Sequence, residues 1–81
     1  MGKEYKIKCK LPPVRDLQAI LSRLPSPIHR APLSEIYNYK VEKDGFYFVD
    51  HLIDNNTASV AFRIFVDSAL VGNQVVEISE L

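Results

Sequence analysis

The tightest group of residues that could perform chemistry is Asp50, His51 and Asp54. A carboxylate can orient a neighbouring imidazole for proton transfer, and three such side chains can contribute ligands to a metal ion. The same residues would equally suit the end of a strand, where acidic side chains cap the next helix. Because no further conventional ligand or glutamate is placed to complete a site, we expect no metal here and favour a non-enzymatic protein.

Two other positions carry reactive or cationic groups. Cys9 is the only cysteine, which excludes an internal disulfide, and its place between Ile7 and Leu11 predicts a buried, inert thiol. His29 and Arg30 lie in a proline-rich connection, where the cationic tip of a rigid loop could contact a partner. The sequence has no Gly-rich phosphate loop, paired-cysteine motif or nucleophile elbow, so we expect no cofactor.

Charge is balanced overall but divided along the chain. Lys and Arg total 10 and Asp and Glu total 10, so the formal net charge is zero. Because proteins that bind nucleic acid usually carry an excess of positive charge, we do not favour a nucleic-acid partner. Residues 1–30 carry seven basic and two acidic side chains (+7 − 2 = +5), whereas residues 44–81 carry one basic and six acidic ones (+1 − 6 = −5). The two parts could attract each other within one fold or between two copies.

Length and hydropathy predict a single soluble domain over residues 1–81. A chain of 81 residues has no room for a second core, and oligomerisation would help to stabilise it. No apolar run approaches the roughly 20 residues that span a bilayer, and no signal-peptide core follows the N-terminal lysines. We therefore expect a cytoplasmic protein with no membrane association.

The elements that would position these residues begin with a strand and a helix. Residues 4–11 alternate, with Lys6, Lys8 and Lys10 on one face and apolar side chains on the other, which predicts a half-buried strand. Apolar residues then recur at helical spacing from Val14 to Leu24. Prolines before and after this segment favour a helix bounded at both ends.

A hairpin is predicted in the middle of the chain. Residues 34–42 form one strand with Tyr37, Tyr39 and Val41 on the same face, and residues 46–53 form its partner. Gly45 in the connecting turn accepts the positive φ that a tight hairpin requires. The partner strand is apolar on both sides, so the sequence does not decide which side faces the helices.

The segment Thr57–Leu70 decides the fold. As a strand it would bury Val60, Phe62, Ile64 and Val66, and as a helix it would bury a full i, i+3, i+4 series that contains three alanines. A strand of this length would be unusual, so we predict a helix, followed by a last strand over residues 74–79.

The order β-α-β-β-α-β predicts an α+β, ferredoxin-like sandwich with a four-stranded antiparallel sheet and both helices on one face. The opposite face is then open and needs a cover, because a strand that is apolar on both sides is usually covered on both sides. The candidate binding residues on this face are Lys6, Lys8, Lys10, Tyr47, Val49 and His51.

The leading hypothesis is a small non-enzymatic protein-interaction module, a homodimer or partner of another protein, that uses the open sheet face. A small-ligand-binding regulatory domain is the alternative. A single-stranded nucleic-acid binder and an enzyme or metal site at Asp50, His51 and Asp54 are less favoured. The partner, the ligand and the biological process do not follow from the sequence.

Overall fold

The computed structural model of the protein describes residues 2–29, 34–71, 73 and 75–81. In chain order its elements are β1 (Lys3–Lys8), α1 (Val14–Leu21), β2 (Ile28–His29), β3 (Ser34–Glu35), β4 (Tyr37–Glu42), β5 (Gly45–Asp50), α2 (Asn55–Leu70) and β6 (Glu77–Glu80). The predicted order β-α-β-β-α-β is confirmed, with a short extra hairpin, β2–β3, before the second long strand.

The main sheet has the strand order β4-β5-β1-β6, and every neighbouring pair is antiparallel. The first and third long strands therefore lie in the centre, as a ferredoxin-like arrangement requires. Each helix joins strands that are not neighbours, and apolar side chains of both helices pack in one core on the same side of the sheet. The α+β class predicted from the sequence is thus confirmed.

The helix α2 is the larger cover of the sheet. It begins at Asn55, two residues earlier than predicted, because Asp54 caps it: its carboxylate accepts hydrogen bonds from the Thr57 N–H (3.1 Å) and hydroxyl (2.8 Å). The predicted helical stripe faces the core except for Leu70, which is 44% exposed, and Val60 lies exposed on the outer side. Helix rather than strand is therefore confirmed for this segment.

Aromatic rings join α2 to the sheet. The Phe65 ring is fully buried, and its centroid lies 5.1 Å from those of Phe46 and Tyr39 and 5.9 Å from that of Phe48. The ring of Phe62, three residues before Phe65 on the same face of α2, has its centroid 5.3 Å from that of Phe48. Tilted and edge-to-face rings at these distances add to the stabilisation from buried area. These contacts fix one face of β5 against the helix.

The helix α1 is shorter than predicted. It ends at Leu21 rather than Leu24, and the Leu24 N–H bonds back to the Leu21 carbonyl in a tightened last turn. Arg23 and Leu24 therefore continue the turn with i→i+3 bonds instead of α-helical ones, since the Arg23 N–H likewise bonds to the Ile20 carbonyl. Only Ile20 of this helix is fully buried, so α1 is a peripheral element.

The second predicted strand is interrupted. Residues 34–42 divide at Ile36 into β3 and β4, and Ile36 donates its N–H to the Pro27 carbonyl at 2.6 Å. The segment around Pro27 thereby runs beside the start of β4 and forms the β2–β3 pair. The sequence predicted a stiff extended connection here, and the pairing was not predicted. Prolines have no N–H to donate to a β-ladder, so a proline-rich segment does not resemble a strand.

Three further boundaries differ from the prediction. β1 ends at Lys8 rather than at residue 11, β5 ends at Asp50 rather than at residue 53, and β6 begins at Glu77 rather than at residue 74. The β5 strand ends early because Leu52 adopts a positive φ of 62°, which no strand tolerates, and the Asp50 carboxylate accepts the Leu52 N–H at 2.7 Å.

Candidate functional site: the open sheet face

The face opposite the helices is defined by the alternation of β1 and β5. Ile7, Phe46 and Phe48 are buried against the helices, so Lys6 and Tyr47, which lie directly opposite each other, point to the other side. The structure therefore resolves what the sequence left undecided for the third long strand. We call this second side the open face.

Tyr47 and Val49 occupy the centre of the open face. Tyr47 lies between Lys40 on β4 and Lys6 on β1, and both Tyr47 and Val49 are half-buried by their neighbours. Val49 lies between the polar Asn38 on β4 and Glu4 on β1. The face therefore has a small apolar centre surrounded by charged and amide groups.

Lys6 crosses the sheet to reach two carboxylates. Its ammonium forms ion pairs with Glu42 and, at 2.7 Å, with Asp44, although both belong to the far end of the β4–β5 hairpin. Gly45, at the end of the hairpin turn, lets the start of β5 lie close to the backbone of β1 because it has no side chain. A Cβ at Gly45, whose φ is 144°, would lie only 1.9 Å from the Ile7 carbonyl oxygen.

The ion pairs shift the proton affinities of both partners. Hydrogen bonds to Asp44 and then Glu42 raise the pKa of Lys6, and the hydrogen bond from Lys6 lowers the pKa of the Asp44 carboxyl. Both groups are charged at neutral pH. The cluster thus holds its charges paired on the surface, where such pairs contribute little to the free energy of unfolding.

Tyr47 forms a hydrogen bond with a further carboxylate, that of Glu4. Its hydroxyl donates a hydrogen bond to Glu4 at 2.5 Å, and this bond, with some desolvation, raises the pKa of the phenol. The ring therefore has a defined orientation across β1 and β5. In contrast, the Tyr5 ring packs on Phe62 on the helix side, so β1 brings no aromatic ring to the open face.

His51 lies at the edge of the open face, one residue beyond the end of β5. Its Nε2 is 2.5 Å from the Asn38 side-chain oxygen and 3.7 Å from a Glu35 carboxylate oxygen. The residue is half-buried and engages β3 and β4 rather than the acids beside it in the sequence. His51 is thus part of the face but not of an acid–imidazole pair with Asp50.

The other two members of the Asp50, His51 and Asp54 group have structural contacts of their own. The Asp50 carboxylate closes the turn at Leu52, and the Asp54 carboxylate caps α2. Within the part of the chain that is described, no three histidine, cysteine, aspartate or glutamate side chains are grouped so that they could hold a metal ion.

Three predicted binding residues need separate comment. Lys10 lies beyond the end of β1 and lines a groove beside α1, so it does not continue the row of Lys6 and Lys8. His29 is the last residue of β2, but its side chain and all of Arg30 lie outside the described residues. The predicted partner loop at these two residues stays a prediction.

The groove beside α1 has a volume of about 810 Å³. Its apolar walls come from the loop before α1, from α1 itself and from the end of α2, with Leu11, Pro12, Pro13, Ala19, Ile20 and Val71. Lys10 and Arg23 lie at its rim, together with Asp16, whose carboxylate faces the neighbouring Arg15 at 3.8 Å. The rim is therefore net positive.

Cys9 follows β1 and is packed partly against the core. Burial raises the pKa of its thiol, and the positive charge of Lys6 opposes that shift to a smaller degree. A thiol with a raised pKa is a poor nucleophile at neutral pH. Cys9 is thus partly and not fully buried, and its inert character stays a prediction.

The comparisons with protein-family models, curated proteins and solved structures returned no match. Among the described residues, neither α1 nor α2 has the length and hydropathy to cross a bilayer.

The sequence missed the acidic half of the open face. Glu4, Glu42 and Asp44 complete the contacts of Tyr47 and Lys6, yet none of them was singled out. A usable signal was present for Glu4, which shares the parity of Lys6 and Lys8 in the alternating strand. For Glu42 the signal was absent, because the diagonal contact depends on the register of three strands.

We expect the Lys6→Met variant to raise the pKa of Asp44 toward its ordinary value, because the largest cause of its lowering is the hydrogen bond from Lys6. NMR titration of the side-chain carboxyl carbon measures this directly. Lys8→Met is the matched control on the same strand and face, since Lys8 acts on Asp44 only as a more distant charge. Equal shifts in the two variants would contradict the described ion pair.

The same variants test the effect on stability. A lowered carboxyl pKa contributes stability above the ordinary value of 3.8, and that contribution is lost as the pH falls through the lowered value. In Lys6→Met this acid-dependent loss should be smaller than in the wild type. Denaturant unfolding at a series of pH values below neutrality measures the difference.

Proposed function

We propose that this domain is a non-enzymatic protein-interaction module that self-associates and contacts protein through its open face. The observation that supports the proposal is the half-buried pair Tyr47 and Val49 in the centre of the face, with charged groups around it. Protein interfaces commonly have an apolar, aromatic-rich centre and a polar rim. A broad sheet face also suits a protein surface better than a small molecule, which prefers a concave site.

The charges on the open face favour a reversible contact. Lys6 already forms ion pairs with two carboxylates. Moving such pairs out of water has a desolvation free energy that exceeds their mutual attraction unless the geometry is excellent. A partner that leaves these pairs at the rim and covers only the centre avoids that cost. We therefore infer a contact of moderate strength, which the apolar centre of the face stabilises.

The same charges disfavour nucleic acid as the partner. Glu4 and Glu42 lie among the lysines of the open face, where they would repel phosphates. Readers of single-stranded RNA on sheets of this kind stack bases on aromatic rings of both central strands, whereas only β5 offers such a ring here. Tyr47 alone gives no stacking platform across the two strands.

We expect Val49→Lys to abolish partner binding through the open face while leaving the domain folded, because the new ammonium lies directly opposite Glu4. Val60→Lys is the matched control, since Val60 is exposed on the outer side of α2. Affinity capture from an extract of the native cells, quantified by mass spectrometry, compares both variants with the wild type.

Proteins that contact the open face should be retained by the wild type and by Val60→Lys, and reduced at least about tenfold with Val49→Lys. An identical set of captured proteins for all three forms would reject the open face as the contact surface.

The groove beside α1 supports a second candidate function, the binding of a small ligand. A volume of about 810 Å³ lies within the range of small-molecule sites. Its apolar walls and net-positive rim, with Lys10 and Arg23, would suit an apolar body that carries a carboxylate or sulfonate. This function would use the opposite side of the domain and is independent of the open face.

The apolar anion 1-anilinonaphthalene-8-sulfonate is a direct probe of the groove. We expect saturable fluorescence enhancement with the wild type and an affinity at least about tenfold lower for Ala19→Trp, which fills the groove. Val60→Trp adds the same side chain outside the groove and should bind the dye as the wild type does. Equal binding by all three forms would reject the site.

A further inference from the structure

Within the described residues β6 pairs only with β1, so its outer edge presents unpaired backbone groups. Leu81, one residue beyond β6, donates its N–H to the Glu4 carbonyl at 2.9 Å, and Ser79 and Glu77 lie opposite Lys6 and Lys8. In an antiparallel ladder, residues alternate between bonding to one neighbour and facing away from it. Ile78 and Glu80 therefore direct their N–H and C=O groups outward, where the sheet ends.

The start of the opposite edge, at β4, is covered by a neighbouring segment of the chain. At the start of β4 the Ile36 N–H is taken by the Pro27 carbonyl, and the Tyr37 hydroxyl donates to the Pro25 carbonyl. Because prolines have no N–H, the segment that covers this edge cannot itself extend the sheet. Among the described residues no segment covers β6 in this way, so β6 can accept a further strand along its whole length.

Apolar side chains accompany the β6 edge. Ile78 lies opposite the buried Ile7 on the helix side of the sheet, yet it is 44% exposed. Leu70 at the end of α2 is 44% exposed and Val75 just before β6 is 85% exposed. A free edge with exposed apolar residues is the kind of surface that natural proteins cover by pairing.

We propose that β6 pairs antiparallel with β6 of a second copy, with Ile78 opposite its own counterpart across a two-fold axis. In this register the two Ile78 residues exchange their outward N–H and C=O groups. Glu77 lies opposite Ser79 and Val76 opposite Glu80, so no carboxylate faces another. A two-fold axis makes the contact self-complementary and closed, which limits assembly to a dimer.

This pairing specifies how the self-association in the proposed function occurs, and it rests on that part of the proposal. An antiparallel pair about an axis perpendicular to the sheet keeps the helices of both copies on one side. The two sheets then join into one of eight strands, and both open faces lie side by side. Self-association through β6 therefore extends the protein-contact surface instead of consuming it.

The register is tested by a charge exchange at the two-fold axis. We expect Ile78→Asp and Ile78→Lys each to weaken the dimer at least about tenfold, because each places like charges opposite each other. An equimolar mixture should restore a dimer that contains one copy of each. Sedimentation equilibrium over a range of concentrations measures all three samples. A mixture that stays monomeric would overturn the proposed register.

The edge itself is tested by proline. Ile78→Pro deletes an outward N–H without removing a hydrogen bond to β1, and Val41→Pro is the matched substitution on the outer edge of β4. We expect only Ile78→Pro to sediment as a monomer, with circular dichroism showing that both variants are folded. Dissociation by Val41→Pro alone, or an unchanged dimer in both, would overturn the proposal.

The open-face variant Val49→Lys separates this inference from the proposed function. A dimer that survives Val49→Lys but not Ile78→Asp supports pairing through β6, and the reverse pattern places the second copy on the open face and overturns it. A wild type that is monomeric at every concentration rejects self-association in any form. In that case the capture experiment still tests the open face as a surface for other proteins.

Discussion

The packing of the Phe65 ring among Phe46, Phe48 and Tyr39 is the interaction on which the rest of the structure depends. Because side chains alternate along a strand, placing Phe46 and Phe48 against α2 sends Tyr47 and Val49 to the other side. A shift of one residue would exchange the two sets and bury the polar face. The aromatic contacts therefore position the open face as well as form the core.

The sheet that results is asymmetric in both directions. Across its thickness, one side is apolar and covered by helices, while the other carries Lys6 in ion pairs with hairpin carboxylates. Along its width, prolines close the start of the β4 edge, while Ile78 and Glu80 leave the β6 edge open. Each asymmetry leaves one surface without a partner among the described residues, and the proposed contacts use those two surfaces.

The sequence predicted the element order and the nature of α2 because their periodicities are local. It could not assign the faces of β5, since both sides of that strand carry apolar or aromatic residues and only the tertiary contact with Phe65 decides between them. The Lys6–Glu42 contact could not be predicted from the sequence either, because 36 residues separate its partners along the chain. The β2–β3 hairpin was not predicted, because the prolines next to it indicate a segment that cannot form a β-ladder.

The central claim is that the helices cover the side of β5 that bears Phe46 and Phe48. Nuclear Overhauser effects between ring protons in solution test it most directly. The account predicts contacts from the Phe65 ring to the rings of Phe46 and Phe48, and from the Tyr47 ring to the side chain of Glu4. Contacts between the Tyr47 ring and Phe65 would contradict the account and, with it, the location of the open face.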